Sequence, residues 1–116
     1  MIEPERDSAI IAPATGERAW TFAAANSTAA PTVIPGVVFQ GIGNGTLYAV
    51  SSADGQQIWS FNTGQTFETV NKVAAHGGAI AVSGAVVANG MVFIGSGYGI
   101  SSGAQAGNVL LAFGVE

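Results

Sequence analysis

His76 is the chain's single histidine, and Asn71 and Lys72 lie close before it. A lone imidazole in a cleft can accept a proton near neutral pH, since its ordinary pKa lies there. The simpler reading is an exposed loop histidine. Glu68 is the only carboxylate in this part of the chain. Gly77-Gly78 would let the backbone approach a planar ligand, or would merely turn the chain into the next strand. Tyr98, inside SGYGISSG, either lines the mouth of a site or packs on its own neighbourhood. Trp20 and Trp59 invite a stacking role, with structural packing as the alternative. The Gly41-x-Gly43-x-Gly45 spacing has the outline of a phosphate loop, but no helix pattern follows it and no lysine is near. The chain has no cysteine, which excludes thiolate nucleophiles, disulfides and cysteine-based metal sites.

The elements that hold these residues are set by an unusual composition. Charged residues make up 9% of the 116, against about 25% in an ordinary globular chain, while glycine numbers 17. Few charges and many glycines point to tightly turned, well-covered β-structure. Lys and Arg together number 3 and the net charge is −4, so a nucleic-acid partner, which needs clustered cations, is not expected. The opening MIEPERDSAI carries acids where a secretion signal would carry basic and then apolar residues, so no signal peptide is expected in this segment. From Val73 to Val115 there is no formal charge, but Ser83, Gly84, Asn89 and Gly90 break the apolar run into short strands and argue against a membrane span. No 3.6-residue apolar stripe survives the glycines, so no helix is predicted.

A repeat organises the strands. ATGERAWTF at 14–22 returns as ADGQQIWSF at 53–61, with Gly16, Trp20 and Phe22 matching Gly55, Trp59 and Phe61 at a constant offset of 39. PTVIPGVVFQGIG at 31–43 returns as AVVANGMVFIGSG at 85–97, with Gly36 and Phe39 matching Gly90 and Phe93 at an offset of 54. Periods of about 40 to 50 residues made of short strands are the mark of propeller blades. Alternation and turn residues predict strands at 8–12, 18–22, 31–34, 37–42, 46–51, 57–62, 80–88, 91–96 and 108–113. The predicted class is all-β: a partial β-propeller, little over two four-stranded antiparallel blades in about nine strands. It divides as blade parts at 8–22, a full blade at 31–62 and a partial last blade at 80–113, within one unit, 1–116. In such a meander the second-to-third and blade-to-blade connections emerge on one side. The long connections 63–78 and 97–107 are both of that kind, so they crowd one face, where sites on rigid scaffolds usually lie.

The stretch AVSSADGQQIW at 49–59 resembles the tryptophan-docking repeat of pyrroloquinoline-quinone (PQQ) proteins, A-x-D-x-x-T-G-x-x-x-W. Ala49, Gly55 and Trp59 fit it, with Ser51 standing for the Asp and Asp54 for the Thr. The earlier copy keeps Thr15, Gly16 and Trp20 but has Ile10 and Ala12 at the Ala and Asp positions. The later FETVNKVAAHGG, VVANGMVFIGSGYG and GNVLLAF resemble the carboxy-terminal end of quinoprotein dehydrogenases of the polyvinyl-alcohol type.

That resemblance implies an eight-bladed, periplasmic parent that oxidises alcohol groups of an alcohol or polymer substrate with PQQ and calcium, its ring closed by a strand from the far amino end. Trp20 and Trp59 would then pack between neighbouring blades, in a structural docking motif with Gly16, Ala49 and Gly55. The family's carboxylate base and calcium ligands would have Glu68 as their one candidate here, although a hard cation wants several oxygens. Asn71, Lys72, His76, Gly78 and Tyr98 complete the candidate cofactor-contacting set. The cysteine pair of many quinoprotein alcohol dehydrogenases is absent. No bound cofactor is expected for this chain alone. The partners implied are an alcohol or polymer substrate and the remaining blades, with self-association through uncovered blade faces and strand edges. The same repeat also serves a non-catalytic outer-membrane assembly propeller, so a protein-binding scaffold is the alternative, with an inactive truncated remnant as a third reading.

Overall fold

The computed structural model describes residues 8–11, 18–22, 29–81, 84–98 and 105–114. Among them there is no helix, and every strand pairing is antiparallel. The first sheet pairs β1 (Ser8–Ile11) with β2 (Arg18–Phe22). The second is a four-stranded meander of β3 (Thr32–Ile34), β4 (Val37–Gly41), β5 (Thr46–Ser51) and β6 (Gln57–Asn62). A two-stranded ribbon follows, β7 (Thr66–Phe67) with β8 (Ala75–His76). The last sheet runs β9 (Val86–Ala88), β10 (Met91–Ser96) and β11 (Val109–Gly114), with β10 in the middle.

The turns explain why the meanders form here. Pro35 supplies the fixed φ of a first turn position and Gly36 the positive φ (85°) of a second, joining β3 to β4. Asn89 and Gly90 take positive φ at both central positions (52° and 73°), the hairpin geometry that matches strand twist, and join β9 to β10. Registers then coincide: Phe39 stands opposite Ala49 as Phe93 stands opposite Ala112.

Strand alternation gives the second and third sheets apolar faces, and the two sheets stack to bury the facing pair. Phe39, Leu47 and Ala49 of the second sheet meet Ile94 of the third, with Ala29, Ile80 and Ala85 in the same cluster. Ile34 and Val37 on one side and Val87, Val92, Leu111 and Phe113 on the other pack around it. The opposite face of the second sheet buries Val38, Gln40 and Val50. Three sheets in face-to-face succession make this a partial propeller, and each is called a blade below.

Two expectations need correction. Among the described residues of the apolar run 80–88, only Val86–Ala88 form a strand. Ile80 is buried, yet its backbone N–H bonds the carbonyl of Ile42, and Ala79 bonds that of Gln105, so this stretch ties loops together instead of joining a ladder. The connection 63–78, read as loop, contains the β7–β8 ribbon. Its reversal is closed by Lys72 N–H on the Thr69 carbonyl with Lys72 at positive φ (60°), a turn without Gly or Pro to announce it. The other predicted strands stand within a residue of their observed ends.

Candidate functional site

Two regions could carry function: the seam between blades, and the face on which the long connections gather. At the first seam β2 projects Trp20 and Phe22, two residues apart and therefore on one side of the strand. The Trp20 indole N–H donates to the Ser52 carbonyl at 2.8 Å. Its ring occupies the space beside Gly55, where a Cβ would come within 2.7 Å of the indole Cε3. Gly55 also has positive φ (75°), so the turn before β6 needs glycine for conformation and for close approach at once. Phe22 meets Tyr48 edge-on, with centroids 5.0 Å apart. At the second seam Trp59 and Phe61 of β6 both meet Phe113 of β11 edge-on, at 5.1 Å each. Trp59 is 37% exposed there, and Ala49 is buried opposite it in the ladder. Gly16 lies outside the described residues.

The connections do gather on one face. Thr63 and Ser96 are fully buried there, with hydroxyl oxygens 2.6 Å apart. The Thr63 hydroxyl also reaches the Gly45 carbonyl, and Ser96 Oγ reaches the Gly78 carbonyl at 3.0 Å while accepting the Gly78 N–H at 2.9 Å. With one proton each, the two hydroxyls can donate to two of these three oxygen neighbours at a time, and the pair ties the β4–β5 turn, the 63–78 connection and the end of β10 together. Neither residue stands out in the sequence, since a Thr and a Ser 33 positions apart form no motif. Gly78 is buried, and a Cβ on it would come within 2.3 Å of the Gln105 carbonyl oxygen, so protein backbone occupies the space beside it.

Glu68 and Lys72 come together. With Thr66, Phe67, Thr69 and Val73 they line an open cleft of about 580 Å³ beside the β7–β8 ribbon. Asn71 supports its rim: its Oδ1 accepts the Thr69 hydroxyl at 2.6 Å, and that hydroxyl accepts the Val73 N–H at 3.1 Å. His76 is exposed at the end of the ribbon, its Nδ1 against the neighbouring Gly77 carbonyl and its backbone N–H on Asn108 Oδ1 at 3.0 Å. Tyr98 does not join this group. Its ring lies against Gly95, in a separate depression with Phe93, Val86 and Leu110 on the outer face of the third blade.

PQQ is a tricarboxylate and calcium a hard cation, so a site for both needs several cationic groups and several oxygen ligands. Among the described residues there is no cluster of three or more His, Cys, Asp or Glu. Among the described residues Glu68 is the one carboxylate on the connection face and Lys72 the one ammonium in its cleft. These residues do not fit the pair, and no chemical step through quinone or calcium is derived for them. No helix among the described residues is long and apolar enough to cross a membrane.

Comparison with known proteins agrees with this architecture. The chain is 41% identical over 95 residues to a polyvinylalcohol dehydrogenase of Pseudomonas sp, an alignment covering 75% of the chain and 15% of that protein. It is 34% identical over 125 residues to a polyvinylalcohol dehydrogenase of Sphingopyxis sp. (strain 113P3), covering 88% of the chain and 19% of that protein. The chain therefore spans less than a fifth of the length of either relative. Residues 6–113 match the family model described as outer membrane protein assembly factor BamB, and with nearly the whole chain inside that match, it belongs to the PQQ-like repeat family.

Proposed function

We propose that this chain is a run of docking blades from a quinoprotein-type propeller of the polyvinyl-alcohol-dehydrogenase kind, in which its own residues build and align the ring while other blades hold PQQ and calcium. The observation that carries this is the seam at Trp20, where one repeat's tryptophan seats on the next repeat's Gly55 and Ser52. It makes blade-to-blade registration the work of the motif. The parent would be an eight-bladed periplasmic enzyme acting on alcohol groups. The chain would divide into blade parts at 8–22, a full blade at 31–62 and a partial blade at 80–113, on the footing of the repeat and the two relatives. Glu68, Lys72 and His76 would border the ring's substrate side without completing a site.

A scaffold without quinone is the second reading, favoured by the description of the matching family. A chimera separates the two. The matching stretch of the Pseudomonas sp polyvinylalcohol dehydrogenase is replaced by this chain, and PQQ-dependent alcohol oxidation is assayed beside PQQ titration of the isolated chain. Retained oxidation by the chimera, with no saturable calcium-dependent fluorescence quenching of the isolated chain, is expected. A folded chimera that neither binds PQQ nor oxidises alcohol would favour the scaffold, and one-equivalent binding by the isolated chain would relocate the cofactor site.

A further inference from the structure

Asn108 stands just before β11 and reaches back to the β7–β8 ribbon. Its Oδ1 accepts the His76 N–H at 3.0 Å, its backbone N–H donates to the His76 carbonyl at 2.9 Å, and its Nδ2 donates to the Ala74 carbonyl at 3.4 Å. The side-chain amide thus does for β8 what a third strand would do, offering one acceptor and one donor to main-chain groups. The ribbon needs this support. It pairs over two residues a side, and a two-stranded hairpin is marginal in water by itself. Asn108 is in turn held by the third blade, since Val109 beside it is buried and opens β11. Gly107 lets the two backbones meet, as a Cβ there would come within 2.4 Å of the His76 carbonyl oxygen.

What this clamp holds in place is the cleft of Glu68 and Lys72. Phe67, stacked on Phe61 with centroids 6.3 Å apart, gives the cleft an apolar wall. Glu68 and Lys72 make no ion pair with each other among the described residues. The carboxylate is therefore open to a hydroxyl proton and the ammonium to a hydroxyl oxygen. Lys72 also has left-handed φ (60°), a conformation that glycine takes at lower cost. A lysine in that conformation at an exposed turn points to a use for its charge outside folding.

We propose that Asn108 is a positioning residue: it clamps the β7–β8 ribbon to the third blade and so holds Glu68 and Lys72 against the part of an alcohol substrate remote from its reacting carbon. The clamp stands on the geometry alone, whereas the substrate contact rests on the reading that the parent oxidises alcohols. Contacts of that kind bind substrate and transition state alike, so their loss raises KM and leaves kcat in place.

The test has two arms. In the full chain, hydrogen exchange at the His76 amide should quicken at least about tenfold with Asn108→Leu, through local opening of the ribbon, while the amides of β4 and β5 stay as they were. Asn108→Asp, which keeps an acceptor for the His76 N–H, should retain most of the protection. In the chimera with the Pseudomonas sp dehydrogenase, Asn108→Leu should raise KM for polyvinyl alcohol at least about tenfold at unchanged kcat, with Asn108→Asp closer to the parent. Lys72→Gly suits the left-handed turn and should raise KM in the same way without quickening exchange at His76. Unchanged exchange at His76 in Asn108→Leu, or equal quickening in β4 and β5, would overturn the clamp. A fall in kcat at unchanged KM would overturn the substrate contact. An unmodified chimera that oxidises no alcohol would sink the parent reading and the substrate contact with it, while exchange in the full chain still decides the clamp.

Discussion

The indole of Trp20 and the α-carbon of Gly55 share one space: a Cβ at position 55 would lie 2.7 and 2.8 Å from ring carbons of Trp20. Two residues 35 positions apart (55−20) are thereby made interdependent, one in each of two neighbouring blades. Gly55→Ala should cost about 2–4 kcal/mol, combining the positive-φ penalty with overpacking against the ring. Gly36→Ala is the control, since Gly36 has a similar φ (85°) but nothing within 4 Å of its added methyl. It should cost only about 1–2 kcal/mol. Urea midpoints of the two variants give the comparison.

Trp20→Ala should cost more than Trp59→Ala. Trp20 combines its seat on Gly55 with a hydrogen bond, whereas Trp59 is 37% exposed. About 3–5 kcal/mol is expected for Trp20, near the range for large core aromatics, and about 1–2 kcal/mol for Trp59. Equal costs in denaturant titration would show that the two repeats dock alike.

Much of this fold is legible because its strands are bounded by residues with one plain conformational use. Pro35-Gly36 and Asn89-Gly90 fix two hairpins, and the 39-residue spacing of Trp20 and Trp59 places equivalent fourth strands. The run at 80–88 misleads because hydrophobicity reports burial and not pairing: Ile80 is buried by loops. The β7–β8 ribbon escapes notice because its turn is held by side-chain oxygens of Thr69 and Asn71 and by a left-handed Lys72. The candidate site is less legible than the fold. Glu68 and Lys72 do share a cleft, but Tyr98 belongs to the other face, since whether a loop residue folds back on its own blade is decided by the glycine beneath it, Gly95.

Ser96→Ala should destabilise the chain by about 1–3 kcal/mol, the cost of stranding buried polar groups. It removes the partner of the buried Gly78 N–H and one of the two partners of the Thr63 hydroxyl, which keeps the Gly45 carbonyl. Ser96→Thr, which keeps the hydroxyl, should recover part of the loss if its methyl is accommodated. Thermal melts of the three proteins decide it.

The isolated chain should self-associate at tens of micromolar. Val86 is 59% exposed and Leu110 69% on the outer face of the third blade, with Tyr98 and Met91 beside them, and only 3 cations and 7 acids oppose contact. Leu110→Lys, on that face and away from the seams, should shift sedimentation toward monomer while leaving the strand content unchanged by circular dichroism. A monodisperse parent chain, indifferent to this change, would mean the face is covered.

The face-to-face stacking of blades is tested most directly by a cross-link. The chain contains no cysteine, so Thr63→Cys with Ser96→Cys introduces the only two thiols, at positions whose oxygens lie 2.6 Å apart across the second and third blades. Mild oxidation followed by non-reducing electrophoresis and peptide mapping should give an intramolecular 63–96 disulfide as the main product, formed within single chains even where chains associate. Persistent free thiols, or disulfides found only between chains, would contradict the stacked-blade arrangement on which the docking role of Trp20 and Gly55 depends.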